Sequence, residues 1–538
     1  MSRYFNITGP NREQENFSLD PLKRIDYNAI EGMIARGRYF TVCSPKQSGK
    51  TTLLLALQKK INDEGKCRCF YCNVEGAQPT DNDIASGVRL VLSRLAEGAE
   101  IDFGDSWPYQ NFASILEHVG PEGALIAFFE RWRMQERAPL PPIMLMLDGV
   151  DLLSGKTLAS LLRQMRTGQV SGPKHFLQSA IFSGVQDVRD MDIDIGENKF
   201  LSGRGGSDIR EKAIVLYNFT QNEIKELCDQ YTTETSQAFQ ENAYSRVFAL
   251  TGGRPWLVNA ILCEALYEMG FGDDPSRTIT YGMIEAAKDH FIARQDAYME
   301  QLAIKLTDPS VRTTLFPILT GGNWKRRPPR EDLVYLEDLE LIRRSPTGWG
   351  IPSAIYREII PMVMGRGLKD ELVHVVDRTQ FVRPDGRLDF RGMIEFYQKL
   401  FCENFLTWGR RYELEGVLAQ MLLFAFLHFI LGDRGRMECD YALGTGRIDM
   451  SVGWGYSLPG GERREERFVI ELRLFDNTKS HDVMVLNGLA QTVAYAQPRR
   501  AQDVFMLILD EDDTKTWYDR LFREEHEHSG MKVHVYGL

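Results

Sequence analysis

The strongest structural signal in the chain is Tyr39-Phe-Thr-Val-Cys-Ser44-Pro-Lys-Gln-Ser-Gly49-Lys50-Thr51-Thr52, followed by the periodic segment Leu53–Ile61. The apolar run predicts a short buried strand, the polar run after it predicts a loop, and the periodic segment predicts a helix. A loop between a strand and a helix N-terminus turns backbone N–H groups toward phosphate oxygens. The order therefore predicts a phosphate-binding P-loop rather than an ordinary strand–turn–helix.

The residue types of this loop suit the binding of nucleotide phosphates and their Mg²⁺ ion. Lys50 can reach the β- and γ-phosphates, and the Thr51 hydroxyl is suited to Mg²⁺. Ser44 stands where the general pattern has its first glycine, while Gly49-Lys50-Thr51 is intact. We expect ATP to contact Ser44, Pro45, Lys46, Gln47, Ser48, Gly49, Lys50, Thr51 and Thr52.

A second apolar run, Ile143–Asp148, predicts another strand that ends in a carboxylate. In P-loop NTPases an Asp at this position holds Mg²⁺, so we assign that role to Asp148. Many such ATPases place Glu next, but this chain has Gly149, which cannot act as a base. Glu75 is either a substitute or a solvated strand end, and Asp151 either assists or caps the next helix. Nucleotide binding is therefore better supported than hydrolysis.

The composition is that of a globular protein with several domains. The chain has 538 residues, 43% of them hydrophobic and 26% charged, and this length predicts three or four domains. A net charge of −11 argues against nonspecific coating of nucleic acid, although residues 301–400 hold 16 Lys and Arg against 13 Asp and Glu. The scattered cysteines, the lack of an apolar leader and the shortness of the most apolar stretch, Val417–Leu431, predict a cytoplasmic protein without a membrane span.

Two stretches of the chain contain predicted strands. Residues 31–215 alternate strands with helices, which predicts a parallel sheet covered on both faces, and residues 405–538 open with a long apolar helix before their strands. The predicted strands are Tyr39–Cys43, Cys69–Glu75, Ile143–Asp148, Ser179–Ser183, Cys439–Leu443, Ile448–Val452, Phe468–Leu474, Val504–Leu509 and Val533–Tyr536.

Further segments, together with the P-loop, carry a family resemblance. They are Tyr4–Pro10, Leu162–Gly168, Gly184–Asp190, Thr251–Asn259, Asp332–Leu339, Ile355–Glu358, Gly444–Asp449 and Phe468–Arg473. With them, nearly the whole chain resembles bacterial AAA-like ATPases, related to STAND-type and archaeal-type ATPases, that carry a C-terminal PD-(D/E)XK nuclease-like domain. The resemblance implies an α/β fold: a P-loop ATPase parallel sheet with a helical lid, a winged helix and a C-terminal α/β PD-(D/E)XK-like domain.

The resemblance also implies boundaries and a nucleotide-sensing lid. The expected regions are an N-terminal arm (1–30), the ATPase core (31–217), the lid (218–300), the winged helix (301–364), a connector (365–404) and the nuclease-like domain (405–538). Arg254 and Pro255 would start a lid helix beside the nucleotide. Ser183–Arg189 would be a phosphate-sensing strand end, although Gln186 replaces the family's charged residue. For both segments, the alternative is that the residues only form a turn and pack within the fold, without contacting a nucleotide.

Basic residues surround the recognition helix that the resemblance implies at Glu331–Leu339. Lys325–Arg327 and Arg330 precede it, and Arg343, Arg344 and Trp349 flank the expected wing. Such residues suit contact with DNA phosphates. The alternative is docking of the winged helix against the ATPase.

Two carboxylates, Asp449 and Glu471, lie on neighbouring predicted strands. A metal-dependent phosphodiesterase needs carboxylates that converge on Mg²⁺, and adjacent strands would bring these two together. Both are therefore predicted as catalytic metal ligands. Glu415 is predicted as a third carboxylate, with Glu413 as its competitor.

Arg473 departs from the pattern of the resembled nucleases, which have Lys at this position. It shares a strand face with Glu471, and it can stabilise phosphate charge but cannot act as a base. Gln491 and Tyr495 are four residues apart on one helix face and resemble the family's trailing Gln and Tyr.

These observations lead to two hypotheses. The first is an ATP-binding switch that controls a Mg²⁺-dependent nuclease acting on nucleic acid, with DNA favoured, in bacterial defence or in a mobile element. The second is a non-catalytic, nucleotide-gated scaffold in which Gly149 and Arg473 mark decayed sites. A third option is an ATPase that acts on DNA or protein without cleavage, and a homo-oligomer is compatible with each.

Overall fold

The computed structural model describes residues 3–76, 83–136, 140–153, 155–185, 193–194, 199–200, 213–294, 297–319, 324, 327–345, 348–411, 418–441, 447–458, 461–475, 480–510, 512 and 515–538. The chain divides into two units. The first comprises Met1–Phe248 and Gly253–Tyr281, and the second comprises Ala249–Gly252 and Gly282–Leu538. Each unit holds more than one of the six regions implied by the sequence, whose boundaries remain predictions.

A five-stranded parallel sheet lies at the centre of the first unit. Its strand order is β2-β3-β4-β1-β7, and β1, β3 and β4 are buried along their whole length because helices cover both faces. The prediction of a parallel α/β sheet is confirmed. The strands of this unit are β1 (Tyr39–Cys43), β2 (Arg68–Asn73), β3 (Ile143–Asp148), β4 (Ser179–Gly184), the antiparallel pair β5 (Ile193–Asp194) and β6 (Lys199–Phe200), and β7 (Ile214–Val215).

The helices of the first unit cover the sheet and continue beyond it. An aromatic cluster of Phe70, Phe128, Phe129 and Trp132 fills one face. The capping box at Thr220 opens α7. The helices are α1 (Tyr27–Ala35), α2 (Lys50–Glu64), α3 (Ile84–Phe103), α4 (Trp107–Val119), α5 (Ala124–Gln135), α6 (Gly155–Ser171), α7 (Gln221–Thr235), α8 (Glu241–Thr251), and α9 (Pro255–Cys263) with a π turn at Glu264–Glu268, besides 3₁₀ turns at Pro21–Arg24 and Val150–Leu152.

The second unit begins with helices. The apolar stretch predicted as a buried helix forms Leu418–Leu431, and in the described part of the chain no helix is both long and apolar enough to span a bilayer. The helices are α10 (Tyr281–Arg294), α11 (Ala297–Lys305), α12 (Pro309–Leu319), α13 (Arg330–Asp338), α14 (Ala354–Met364), α15 (Arg366–Val375), α16 (Phe390–Arg411), α17 (Leu418–Leu431), α18 (His481–Ala496) and α19 (Trp517–Arg520), with 3₁₀ turns at Arg378–Phe381, Gly432–Arg434 and Gln497–Arg499.

A hairpin and a six-stranded mixed sheet complete the second unit. The hairpin joins β8 (Arg343–Ser345) and β9 (Gly348–Gly350). The sheet has the order β10-β11-β12-β13-β15-β14, and β12, β13 and β15 run parallel. Its strands are β10 (Gly435–Tyr441), β11 (Arg447–Ser457), β12 (Arg463–Leu474), β13 (Asp503–Leu509), β14 (Arg523–His528) and β15 (Met531–Gly537).

A buried ionic cluster connects α10 with α14 in the second unit. The Lys288 ammonium donates to both carboxylate oxygens of Glu358 at 3.0 Å and forms an ion pair with Asp289 at 2.8 Å. The side chains of Lys288 and Glu358 are only 1% and 5% exposed. These charges can be accommodated only as a pair because water does not reach them.

His428, on α17, gives this unit a predicted sensitivity to acid. Its Nε2 is buried and has no hydrogen-bond partner among the residues described, and burial, followed by the charges of Lys288 and Lys369, lowers its pKa to about 4. The unfolded state binds a proton more tightly, so stability present above pH 6.5 is lost as the pH falls toward 4. We expect His428 by itself to contribute a loss of about 3 kcal/mol over this window.

Urea titrations from pH 7 to pH 4 test this expectation. His428→Phe should remove most of that acid-dependent loss, whereas His374→Phe, at an exposed site on α15, should retain it. Equal pH profiles for the parent and His428→Phe would contradict it.

Candidate functional site

The predicted P-loop joins β1 to α2 and is closed by a glycine. Gly49 caps α2 with a φ of 92°, a left-handed conformation that glycine adopts without strain. A Cβ at this position would lie 3.1 Å from Nη1 of Arg24. The backbone turn therefore favours glycine, and a Cβ would in addition force the Arg24 side chain to shift by a few tenths of an ångström.

Lys50 lies over the loop that precedes it. Its ammonium donates to the carbonyl oxygens of Ser44 at 2.5 Å and Pro45 at 2.8 Å. Burial lowers the pKa of Lys50, and the nearby carboxylates of Asp148 and Asp151 oppose that effect. The lysine is thus held at the loop, where a phosphate could replace the two carbonyl contacts.

Thr51 and Asp148 come together beside the loop. The Thr51 hydroxyl donates to Asp148 Oδ2 at 2.9 Å, and the Tyr71 hydroxyl donates to the same oxygen at 2.9 Å. Burial, and then the charge of Asp148, raises the pKa of Tyr71, so this phenol remains a donor. A hydroxyl and a carboxylate in contact are a donor set that fits Mg²⁺.

The residues after Asp148 do not supply a general base. Gly149 has a φ of 78°, a left-handed backbone conformation in which a side chain would be strained. Asp151 accepts the backbone N–H of Val185 at 2.8 Å and thereby ties β4 to the turn after β3. Glu75 is exposed at the strand end, and its backbone N–H donates to Asn73.

Arg24 is a loop contact that the sequence analysis missed. Its Nη1 donates to the Ser48 carbonyl at 2.7 Å, and its Nε and Nη2 donate to the Tyr217 carbonyl. The guanidinium also lies 5.1 Å from the ring centroid of Phe219. No local pattern indicates this role, because its partners are distant in sequence.

A cavity of about 310 Å³ opens at the loop within the first unit. Three segments line it: the N-terminal arm, the P-loop and the start of α9. The lining residues are Asn6, Ile7, Gly9, Pro10, Asn11, Gln47, Gly49, Lys50, Thr51, Thr52, Pro255, Trp256 and Asn259. Its volume falls at the lower end of the range for small-molecule sites, about 300–1,000 Å³.

The loop also contains buried polar atoms that suit an anion. The hydroxyl oxygens of Ser44 and Ser48 are buried and have no hydrogen-bond partner within the described ranges. Buried hydroxyls without partners are costly, and phosphate oxygens would satisfy them. Together with Lys50 and the adjoining cavity, these atoms fit a nucleoside phosphate.

The predicted lid residues also lie near the loop. Arg254 is buried, its Nη2 donates to the Lys46 carbonyl at 3.2 Å, and Pro255 is the first residue of α9. This arginine therefore contacts the loop backbone. The expected sensing residue Gln186 lies outside the described residues.

The second predicted site lies in the mixed sheet. Asp449 and Glu471 face each other directly across the antiparallel pair β11 and β12, and both are buried. The register therefore brings these carboxylates together. Glu415 and its competitor Glu413 lie outside the described residues.

Glu471 is already engaged by protein groups. Arg473 binds its Oε1 through Nε at 2.7 Å and also through Nη2, and the Thr492 hydroxyl donates to Oε2 at 2.7 Å. Nη2 of Arg473 also donates to Gln491 at 2.6 Å. No group of three or more potential ligands suited to a metal occurs among the described residues. In this arrangement Glu471 is paired with Arg473 and Thr492, and its role as a metal ligand stays a prediction.

The other residues that the sequence analysis singled out lie on α18, around α13 and on the β8–β9 hairpin. Tyr495 is half-buried on α18, with the Arg499 guanidinium 3.6 Å from its ring centroid. Arg327, Arg330, Arg343 and Arg344 are exposed on and around α13 and the β8–β9 hairpin, and Trp349 is half-buried on β9. Lys325 and Arg326 lie outside the described residues.

Comparison with solved structures gives distant similarities. No family model matches this sequence, and no curated protein matches it significantly. Cdc6p from Pyrobaculum aerophilum is 16% identical, with a TM-score of 0.34 over 65% of this chain and 98% of that chain. The RuvB Holliday junction branch migration motor of Thermotoga maritima is 12% identical, with a TM-score of 0.32 over 62% of this chain and 95% of that chain. At such low identities and TM-scores, we draw no conclusion from them about this chain.

Proposed function

We propose that the first unit binds ATP with Mg²⁺ and acts as a nucleotide-dependent switch of the AAA-like type. The observation that carries this proposal is the contact between Thr51 and Asp148, with Lys50 and Thr51 both lining the 310 Å³ cavity. Lys50 would hold the phosphates, and Thr51 with Asp148 would hold Mg²⁺, which shields phosphate charge. Gly149 and the exposed Glu75 favour binding over rapid hydrolysis.

Loss of nucleotide-dependent stabilisation in Lys50→Ala tests this proposal. Ligand at 100 times its Kd stabilises a protein by about 2.7 kcal/mol, which for a unit of this size raises Tm by roughly 5–10 °C. We expect this shift with ATP and Mg²⁺ in the parent, and none in Lys50→Ala. Thermal unfolding with and without nucleotide measures it.

The control for this test is Lys59→Ala, at an exposed site on the same helix. It removes an equal charge away from the loop, so the Tm shift should persist. A parent protein that shows no shift at millimolar ATP would overturn the proposal.

We further propose that the second unit binds nucleic acid through the exposed arginines near α13 without cleaving it. The observation that favours this scaffold reading over an Mg²⁺-dependent nuclease is the engagement of Glu471 by Arg473 and Thr492. Defence or mobile-element roles, and assembly into homo-oligomers, remain parts of the hypothesis that rest on the family resemblance alone.

A cleavage assay separates the scaffold from the nuclease. With DNA and RNA of varied form, Mg²⁺ or Mn²⁺, and with or without ATP, we expect binding by fluorescence anisotropy but no products on denaturing gels. Metal-dependent cleavage that disappears in Asp449→Ala would instead establish the nuclease. Activity that arises only in Arg473→Lys would support decay of an ancestral site.

A further inference from the structure

Tyr71 contacts the Thr51–Asp148 pair from the sheet, not from the phosphate loop. It lies on β2, and its ring packs against the apolar cluster that joins the sheet to α2 and includes Met146 and Leu57. The strand register places Tyr71 beside Met146, two residues before the end of β3 at Asp148. Packing therefore holds the ring in place, and the hydroxyl reaches the strand end at which Asp148 lies.

The hydrogen bonds of Asp148 leave Thr51 able to bind a cation. Thr51 and Tyr71 each donate to Asp148 Oδ2 at 2.9 Å. The backbone N–H of Gly149 donates to the other carboxylate oxygen, Oδ1, at 3.1 Å. A hydroxyl has one donor and two acceptor positions, so Thr51 keeps its lone pairs for Mg²⁺ while its proton faces Asp148. The carboxylate is thus held by donors on both oxygens, and one of them is a phenol from the sheet.

We propose that Tyr71 is a positioning residue that sets the affinity of the nucleotide site for Mg²⁺ by orienting the Asp148 carboxylate. This inference rests on the proposed binding of ATP with Mg²⁺ and adds the residue that tunes the metal. Among the described residues, those that line the cavity include Thr51 but not Tyr71. The phenol would therefore act through Asp148 without occupying the space of the phosphates. Removing a partner that orients a metal-binding group typically lowers metal affinity about 10–100-fold.

The test compares the affinity for ATP with and without the metal ion. Calorimetric titrations of the full-length protein with ATP, in excess Mg²⁺ and in EDTA, give two dissociation constants. Their ratio, the Mg²⁺ factor, is the factor by which the metal tightens binding. We expect it to be at least about tenfold in the parent, and we expect Tyr71→Phe to lose most of it. The affinity in EDTA should not change, because Phe keeps the ring packed and only the hydroxyl is removed.

Tyr39→Phe is the matched control, because it removes a phenol hydroxyl from β1 of the same sheet. Tyr39 is 4% exposed, and its hydroxyl has no hydrogen-bond partner in the part of the chain that the structure describes. This variant should keep the Mg²⁺ factor of the parent. Asp148→Asn gives a second comparison, because it removes the carboxylate through which the phenol acts. Adding Tyr71→Phe to Asp148→Asn should therefore change the Mg²⁺ factor little.

The outcomes distinguish this inference from the proposed function. If Tyr71→Phe keeps the parent's Mg²⁺ factor, or weakens ATP binding equally in Mg²⁺ and in EDTA, Tyr71 does not position the metal site, and nucleotide binding stands. A parent that binds ATP equally well under both conditions also refutes the inference, since there is then no metal effect to set. If the parent binds no ATP under either condition, the proposed function itself fails. Should Tyr71→Phe not fold, the Mg²⁺ factor of Tyr71→Met, which also lacks a donor, decides.

Discussion

Replacing Lys288 by Met is expected to destabilise the second unit by about 3–5 kcal/mol, because it leaves the Glu358 carboxylate buried without its partner. Lys288 is 1% exposed and donates to both oxygens of Glu358 at 3.0 Å. Burial raises the pKa of Glu358 to about 7, and Lys288 opposes this effect. Without the lysine, Glu358 must either remain charged in the interior or take up a proton.

Because Glu358 can take up a proton, the loss of stability in Lys288→Met should depend on pH. In Lys288→Met the folded-state pKa of Glu358 should lie further above its value in the unfolded chain, so the unfolded state loses its proton first as the pH rises. The destabilisation should therefore be larger at pH 8 than at pH 5. Urea unfolding and hydrogen exchange of amides in α10 and α14, at both pH values, measure it.

Two further variants define the interaction. Lys399→Met removes a lysine that is 72% exposed and paired with Glu403 on α16, and it should cost less than about 1 kcal/mol. The double variant Lys288→Met/Glu358→Met should recover much of the loss, because it buries no unpaired charge. If the loss in the double variant equalled the sum of the losses in Lys288→Met and in a Glu358→Met single variant, the buried ion pair would not be the cause.

The pattern of apolar residues predicted the strands that are buried on both faces. It did not predict a polar strand at the edge of a sheet. The apolar runs that end at Cys43 and Asp148 gave strands at the predicted positions, because strands covered on both faces are apolar throughout. The polar strand β14 was missed, since Arg523–His528 lies at a sheet edge with alternate side chains in solvent. Its pairing with β15 is determined by tertiary contacts.

Some residues of the candidate sites could likewise be predicted from the sequence, and others could not. Gly49, Lys50 and Thr51 could be assigned because their spacing along the chain is itself the signal. Arg24, Tyr71 and Thr492 could not, because each acts on a partner that only the folded chain brings near. The roles of Asp449 and Glu471 lie between these cases: their juxtaposition was predictable from strand order, but the engagement of Glu471 by Thr492 was not.

Arg473→Met is the second substitution expected to have a large effect, again about 3–5 kcal/mol. Glu471 is fully buried, and Arg473, 14% exposed, neutralises it while also binding Gln491. Within the described part of the chain, removal of the guanidinium leaves the Thr492 hydroxyl as the donor to this carboxylate. Arg473→Lys retains the charge but loses the planar fork that contacts both Glu471 and Gln491, so we expect a smaller loss, about 1–2 kcal/mol.

Arg467 provides the matched control, because it lies on the same strand and forms an exposed ion pair with Glu465. Arg467→Met should change the free energy of unfolding by less than about 1 kcal/mol. Hydrogen exchange of amides in β11 and β12, with urea unfolding of the full chain, measures all three variants.

Equal losses in Arg473→Met and Arg467→Met would mean that Glu471 does not depend on Arg473. The carboxylate would then be available to a metal ion, and the nuclease hypothesis would regain its ligand. A large and selective loss in Arg473→Met would mean that the arginine neutralises Glu471 in the metal-free protein.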